Sequence, residues 1–287
     1  MAFRADFELD TANSGSKRLN YHYNRNKMKM RIAQIKSVPR KGKLRENHLV
    51  LMELFESISS ESIDVVITPE CFLDGYVCTE DYVTKNTIHE YAIDPRSSEF
   101  TMEMSAWARS TETWVILGCM RSDATGTYNT SVAFDRNGDL VGQYDKVHCQ
   151  THDKKYAPGN SLPVFDSDFG TFGIMICADR PWPETIRTLV IKGARIIFNP
   201  TYGMHDEKNL RMMQTRSYES EVFIAFTHPR QSLVTDPNGN IIVNNEDEKD
   251  SITISEIDIS LADQVRSGES AHLKDRRVDV YEGLTSQ

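Results

Sequence analysis

The chain has 287 residues, of which 39% are hydrophobic and 26% charged, with a formal net charge of −9. That length lies near the upper limit for one hydrophobic core, and the composition is that of an ordinary globular protein. Net acidity without a basic run beyond the N-terminal region argues against nucleic acid as a partner, and no stretch approaches the ~18 apolar residues that span a membrane.

Residues 1–27 carry no sustained apolar period, are rich in Asn, Ser, Arg and Lys, and lack the apolar core of a signal peptide. They read as a flexible extension, and 28–287 as the folded domain. MRIAQI (30–35) reads as a strand, and the apolar spacing of 44–59 predicts a helix. IDVVIT (63–68) is a β-branched run of the kind buried on both faces of a sheet. A helix is expected over 97–109 and a buried strand at WVILGC (114–119). The next segment reads as two strands joined at Asn137-Gly138, a strong hairpin signal. FGIMIC (172–177) reads as a strand, 182–192 as a helix stopped by Gly193, ARIIFN (194–199) as a strand and 207–220 as a helix. The strands and hairpins of VFIAFT, QSLVTDPNGNIIV and SITISEIDI follow, with the acidic 244–250 expected as an exposed turn. Strands alternating with helices and hairpins predict a layered α/β fold with mixed sheets.

The five cysteines, 71, 78, 119, 149 and 177, are too few and odd in number for a disulfide framework, and a reducing cytoplasm fits them better. Cys177 stands apart. It ends a buried strand and is followed by Ala178-Asp179-Arg180-Pro181-Trp182-Pro183-Glu184, whose prolines suit the first turn of a helix. A thiol at such a junction sits near a helix N-terminus, and the Ala178 N–H is placed to serve an oxyanion. Glu70 ends another buried strand, and Lys146 follows the second strand of the first hairpin. Singly, each has a plainer explanation as a strand-end thiol, a solvated acid or a surface cation. Together, at three strand ends of an α/β fold, a nucleophile, a base and a cation form an acyl-transfer set.

The segments around them resemble the three motifs of the nitrilase, or carbon–nitrogen hydrolase, superfamily: PECFLDGY (69–76), YDKVH (144–148) and GTFGIMICADRPWPE (170–184). Asn47, YNT (128–130), PG (158–159), NPT (199–201) and RRVDVY (276–281) extend the resemblance over roughly residues 30–284. It implies an α-β-β-α sandwich that dimerises into a four-layer α-β-β-α-α-β-β-α assembly. It implies Glu70 as general base, Lys146 as stabiliser of the tetrahedral intermediate and Cys177 as the nucleophile that forms a thioester, with neither cofactor nor metal. Within the family, ICADRPWPE (176–184) is most similar to the motif of N-carbamoyl-D-amino-acid hydrolases, except that Ala178 replaces an Asn and Pro181 replaces the second of two arginines. Arg180 is therefore expected at the substrate's polar end as half of a carboxylate clamp. The family's usual second Glu is also missing: its place falls at His152, with Asp153 adjacent.

Tyr76, Trp182, Asn199 and Thr201 are further candidates for lining the pocket, against the plainer readings of core aromatics and a simple turn. His148-Cys149-x-x-His152 has metal-like spacing but no second cluster, so no metal is expected. The reading is a hydrolase of small amide or ureido substrates, working as a homodimer or higher homo-oligomer. A nitrilase acting on a true nitrile and a catalytically silent binding or assembly protein are the alternatives.

Overall fold

A computed structural model describes residues 29–247 and 249–284; the extension expected at 1–27 lies outside the described residues. Five strands come first in the chain: β1 (Lys29–Lys36), β2 (Val65–Ile67), β3 (Trp114–Asp123), β4 (Gly126–Phe134) and β5 (Leu140–Asp145). Six follow: β6 (Val164–Phe165), β7 (Phe172–Ile174), β8 (Ile196–Pro200), β9 (Phe223–His228), β10 (Gln231–Thr235) and β11 (Ile241–Asn245). The last is β12 (Ser251–Asp258). They form two six-stranded sheets, ordered β12-β1-β2-β3-β4-β5 and β11-β10-β9-β8-β7-β6. Each sheet has three parallel strands at its centre, β1-β2-β3 and β7-β8-β9, flanked by antiparallel neighbours. Asn137-Gly138 and Asn238-Gly239 lie in the turns between β4 and β5 and between β10 and β11.

The apolar runs conceal a period of two. Ile32, Val65, Ile67, Trp114 and Ile116 of the first sheet pack against Phe172, Ile174, Ile196, Phe198 and Phe223 of the second. The intervening Ala33, Val66, Val115 and Leu117 pack with Leu51 and Phe55 of helix α1 (Leu44–Ser57) and Met104 and Trp107 of α2 (Glu99–Thr111). Ile197, Ile224 and Met175 likewise meet Ile186 and Leu189 of α3 (Pro183–Ile191) and Met213 of α4 (Glu207–Ser220). The result is an α-β-β-α sandwich whose central strands are dry on both faces. That is why their sequences read as continuous apolar runs. Each buried Ile, Val or Phe contributes roughly 1.5–3 kcal/mol.

Three details depart from the sequence reading. The strand expected over 172–177 keeps its pairing only to Ile174, because the Asp179 carboxylate takes the Ile176 N–H at 2.8 Å and draws the chain into a turn. The acidic segment is not simply a solvated turn: Asn244 and Asn245 belong to β11, and the carbonyls of Asp247 and Lys249 accept from the buried ammonium of Lys36. A short helix, α5 (Leu261–Ser267), was not expected at all.

Candidate active site

Beyond β2 the chain crosses directly over Gly118 of β3. A Cβ on that glycine would lie 2.2 Å from the Pro69 carbonyl oxygen and 3.1 Å from the Cα of Glu70, so any side chain there would push Glu70 away. The Gly118 N–H donates to Thr68 Oγ1 and its carbonyl accepts from the Phe72 N–H, at 2.8 and 2.9 Å. Cys71 and Tyr76 then take left-handed φ angles of 48° and 54°, which are strained for residues bearing a Cβ. Glu70 is fully buried. Its Oε1 accepts from Lys146 Nζ and Asn129 Nδ2, both at 2.7 Å, and its Oε2 from the Tyr202 N–H at 2.9 Å.

Lys146 follows β5 and is buried too. Its ammonium bridges Glu70 and Asp153 Oδ2, the latter at 2.5 Å. The other oxygen of Asp153 accepts from the Tyr76 hydroxyl at 2.9 Å. Burial works against the charged form of Lys146, but Glu70, Cys177 and Asp153 outweigh it and hold its pKa well above the usual lysine range. Burial, followed by the Glu70 charge, pushes the Asp153 carboxyl up. Two carboxylates thus share one ammonium in a dry site, and it is Asp153 that holds a proton more tightly than an ordinary carboxyl. In the same loop as Glu70, the buried Asp74 accepts the Val77 N–H, and burial pushes its carboxyl up to about 7.

Cys177 sits at the turn after β7 with φ 43°, again left-handed, and is 8% exposed. Burial and then Glu70 push its thiol above the usual value, against Lys146, Arg180 and the Tyr202 N–H, which favour the thiolate. Asp179, two residues on, ties the Cys177 and Lys146 segments together. It accepts from the Ile176 N–H (2.8 Å), the Tyr144 hydroxyl (2.7 Å), and the N–H and Nδ1 of His148 (3.2 and 2.7 Å).

The structure therefore brings Glu70, Lys146 and Cys177 to one place, with Tyr76 at its side. It distributes the other candidates differently. His152 is exposed. The helical turn Thr151–Lys155 points Asp153 inward instead, and Asp153 stands where the family's second carboxylate was sought. Arg180 is buried, but its Nη1 and Nη2 donate to the carbonyls of Cys177 (2.8 Å) and Met204 (2.6 Å). Those two nitrogens hold backbone, while the buried Nε has no hydrogen-bond partner among the described residues. Trp182 is 41% exposed and stacks on His148, with ring centroids 5.2 Å apart. Asn199 donates to the Met175 carbonyl and Thr201 to that of Asn199, so both brace the end of β8 beneath the nucleophile turn. Ala178 is half-buried within that turn. Asn129, noted in sequence only within the YNT segment and given no role in the site, and Tyr202, not singled out at all, both donate to Glu70. The YNT segment was the one signal that could have marked Asn129; a backbone N–H such as that of Tyr202 carries none.

The model of the carbon–nitrogen hydrolase family matches residues 29–267, and the chain belongs to that family. Among its relatives, a nitrilase of Pyrococcus abyssi is 27% identical over 266 residues, covering 88% of this chain and 99% of the relative. The omega-amidase NIT2 of Mus musculus is 25% identical over 257 residues, covering 79% and 88%. The fold is similar to that of a carbon–nitrogen hydrolase from Helicobacter pylori G27, with TM-score 0.76, 19% identity, and coverage of 91% of this chain and 99% of that one. It is also similar to Saccharomyces cerevisiae Nit3, with TM-score 0.72, 21% identity, and coverage of 83% and 93%. Among the described residues no helix is long and apolar enough to cross a membrane.

Proposed function

We propose that the protein hydrolyses a small amide through a thioester on Cys177, with Glu70 as general base and Lys146 as electrostatic stabiliser. The observation that carries this reading is the buried Glu70–Lys146–Asp153 network beside a thiol on a left-handed turn. Glu70 takes the thiol proton as Sγ attacks the carbonyl carbon. The oxyanion is held by Lys146 and by the Ala178 N–H, which follows the left-handed residue as in other nucleophile turns. Collapse of the intermediate breaks the C–N bond, and the proton on Glu70 leaves with ammonia or an amine. Water, deprotonated by Glu70, then attacks the thioester. The acid is released and the proton returns to sulfur. Asp153 keeps Lys146 charged while Glu70 is protonated, so the stabilising cation persists through the cycle.

Simple amides fit better than N-carbamoyl amino acids, because Nη1 and Nη2 of Arg180 each hold a backbone carbonyl and its expected companion is Pro181. Relatives named omega-amidase support the same choice. The test is ammonia release from matched amides, ureido compounds and nitriles, with intact mass used to detect an acyl adduct on Cys177. We expect amides to be turned over fastest and the adduct to vanish in Cys177→Ala. Faster turnover of every matched nitrile, or an adduct on another cysteine, overturns the reading.

A further inference from the structure

Strand β9 ends at His228, which is 4% exposed and uses both ring nitrogens. Nδ1 accepts the Arg230 N–H at 3.0 Å, which a protonated Nδ1 cannot do. The ring proton therefore lies on Nε2, which donates to the Tyr202 carbonyl at 3.0 Å. The ring is fixed by its neighbours: His205 stacks on it with centroids 4.1 Å apart, and Phe226 lies nearly parallel at 6.2 Å. Burial, then His205, Arg180 and Arg230, pushes the pKa of His228 down to about 3, so the ring stays a neutral Nε2–H donor at any working pH.

Tyr202 is thus held at both ends, its N–H by Glu70 and its carbonyl by His228. The next residue, Gly203, lies against the nucleophile: a Cβ there would be 3.1 Å from Cys177 Sγ. The carbonyl after that, of Met204, is held by Arg180, whose other end holds the Cys177 carbonyl. The β8–α4 loop is therefore pinned by three hydrogen bonds, at Tyr202 and Met204, on either side of the glycine that meets the sulfur. Of the three pinning side chains, Glu70 is the proposed base and Arg180 bonds the Cys177 carbonyl, whereas His228 bonds only the loop and the Arg230 N–H.

We propose that His228 is a positioning residue for Cys177: its Nε2–H holds the Tyr202 carbonyl and so fixes the Tyr202–Gly203 peptide, whose glycine lies against the sulfur. This rests on the reading of Cys177 as nucleophile, but its test does not need the substrate. The test is the rate of Cys177 alkylation by iodoacetamide against pH, followed by intact mass and peptide mapping on the full chain. Three variants matter: His228→Leu and His228→Met, which lack a donor, and His228→Gln, which keeps one. Loss of one hydrogen bond near the thiolate should move the alkylation midpoint to higher pH by about one unit and lower kcat on the best amide about five- to tenfold. His228→Gln should recover most of both. An unshifted profile in a folded Leu or Met variant overturns the proposal, as does a Gln variant no closer to wild type than they are. If neither apolar variant folds, a wild-type profile in His228→Gln supports the donor role and a shifted one refutes it. Absence of amide turnover with the predicted alkylation shifts would refute the proposed substrate alone.

Discussion

At the end of the first sheet, ionisable side chains make the site: Glu70 after β2, Lys146 after β5 and Asp153 beyond it. At the end of the second sheet the backbone makes it: the left-handed turn at Cys177, the Tyr202 N–H, and the carbonyls held by Arg180 and His228. The first assembly is held by charge in a dry environment, so removing one partner strands the others. In the second the nucleophile sits on a turn set by the path of the chain, so trimming the Cys177 side chain itself leaves the turn standing. Stability and chemistry are coupled at one end and separable at the other.

The largest expected effect is the one that most directly tests this separation. Cys177→Ala should lower kcat by about four orders of magnitude or more while the melting midpoint stays within about 2 °C of wild type. A large fall in the midpoint would break the comparison. Lys146→Met should also abolish turnover, but at a cost of about 3–5 kcal/mol in urea unfolding, because two carboxylates are left buried together. Adding Glu70→Gln and Asp153→Asn to that variant should restore most of the stability and none of the activity. A triple variant no more stable than the single one would mean that packing, not charge, holds this end.

Asp74 sharpens the same contrast. Its folded pKa of about 7 lies above an unfolded value of about 3.9, so the stability gained by holding its proton is complete below pH ~4 and is lost as pH rises through 7. Between pH 4 and 8 the wild type should lose up to about 4 kcal/mol relative to Asp74→Asn in paired urea titrations. Parallel titrations of the two proteins would contradict the buried-acid account. The smallest effect concerns the turn at Cys177. Ala is normally more favourable than Gly in a folded backbone, but a left-handed φ costs a residue with a Cβ roughly 1–2 kcal/mol. Cys177→Gly should therefore be at least as stable as Cys177→Ala, by up to about 1 kcal/mol. The reverse order would mean that the turn stores no strain.

The fold was legible where periodicity had one explanation. Helices α1 to α4 fall where their spacing put them, and both Asn-Gly pairs lie in hairpin turns. The length of β7 was not, since Ile174-Met175-Ile176 reads as strand throughout and only the side chain of Asp179 ends the ladder. The three motif residues could be placed at strand ends, but the orientation of their neighbours could not. His152 and Asp153 are adjacent, and which one faces Lys146 depends on Thr151 taking a left-handed φ of 46°. Arg180 looked like a substrate contact because a guanidinium fits a carboxylate. Its Nη1 and Nη2 hold backbone carbonyls, which every residue has and no sequence marks. His228 escaped notice for the same reason.

The pairing of β1 with β12, Lys29 opposite Asp258 and Lys36 opposite Ser251, has a consequence for biosynthesis. One edge of β1 waits for a strand made more than two hundred residues later. At ribosomal speeds that delay is on the order of ten to forty seconds. Closure over so long a separation is intrinsically slow, and an open strand edge is a template for other chains. A polypeptide stalled before β12 would already hold the thiol of Cys177 while its first sheet stayed incomplete. Such fragments should be handled by the cell as clients of chaperones and proteases, not as slow enzymes.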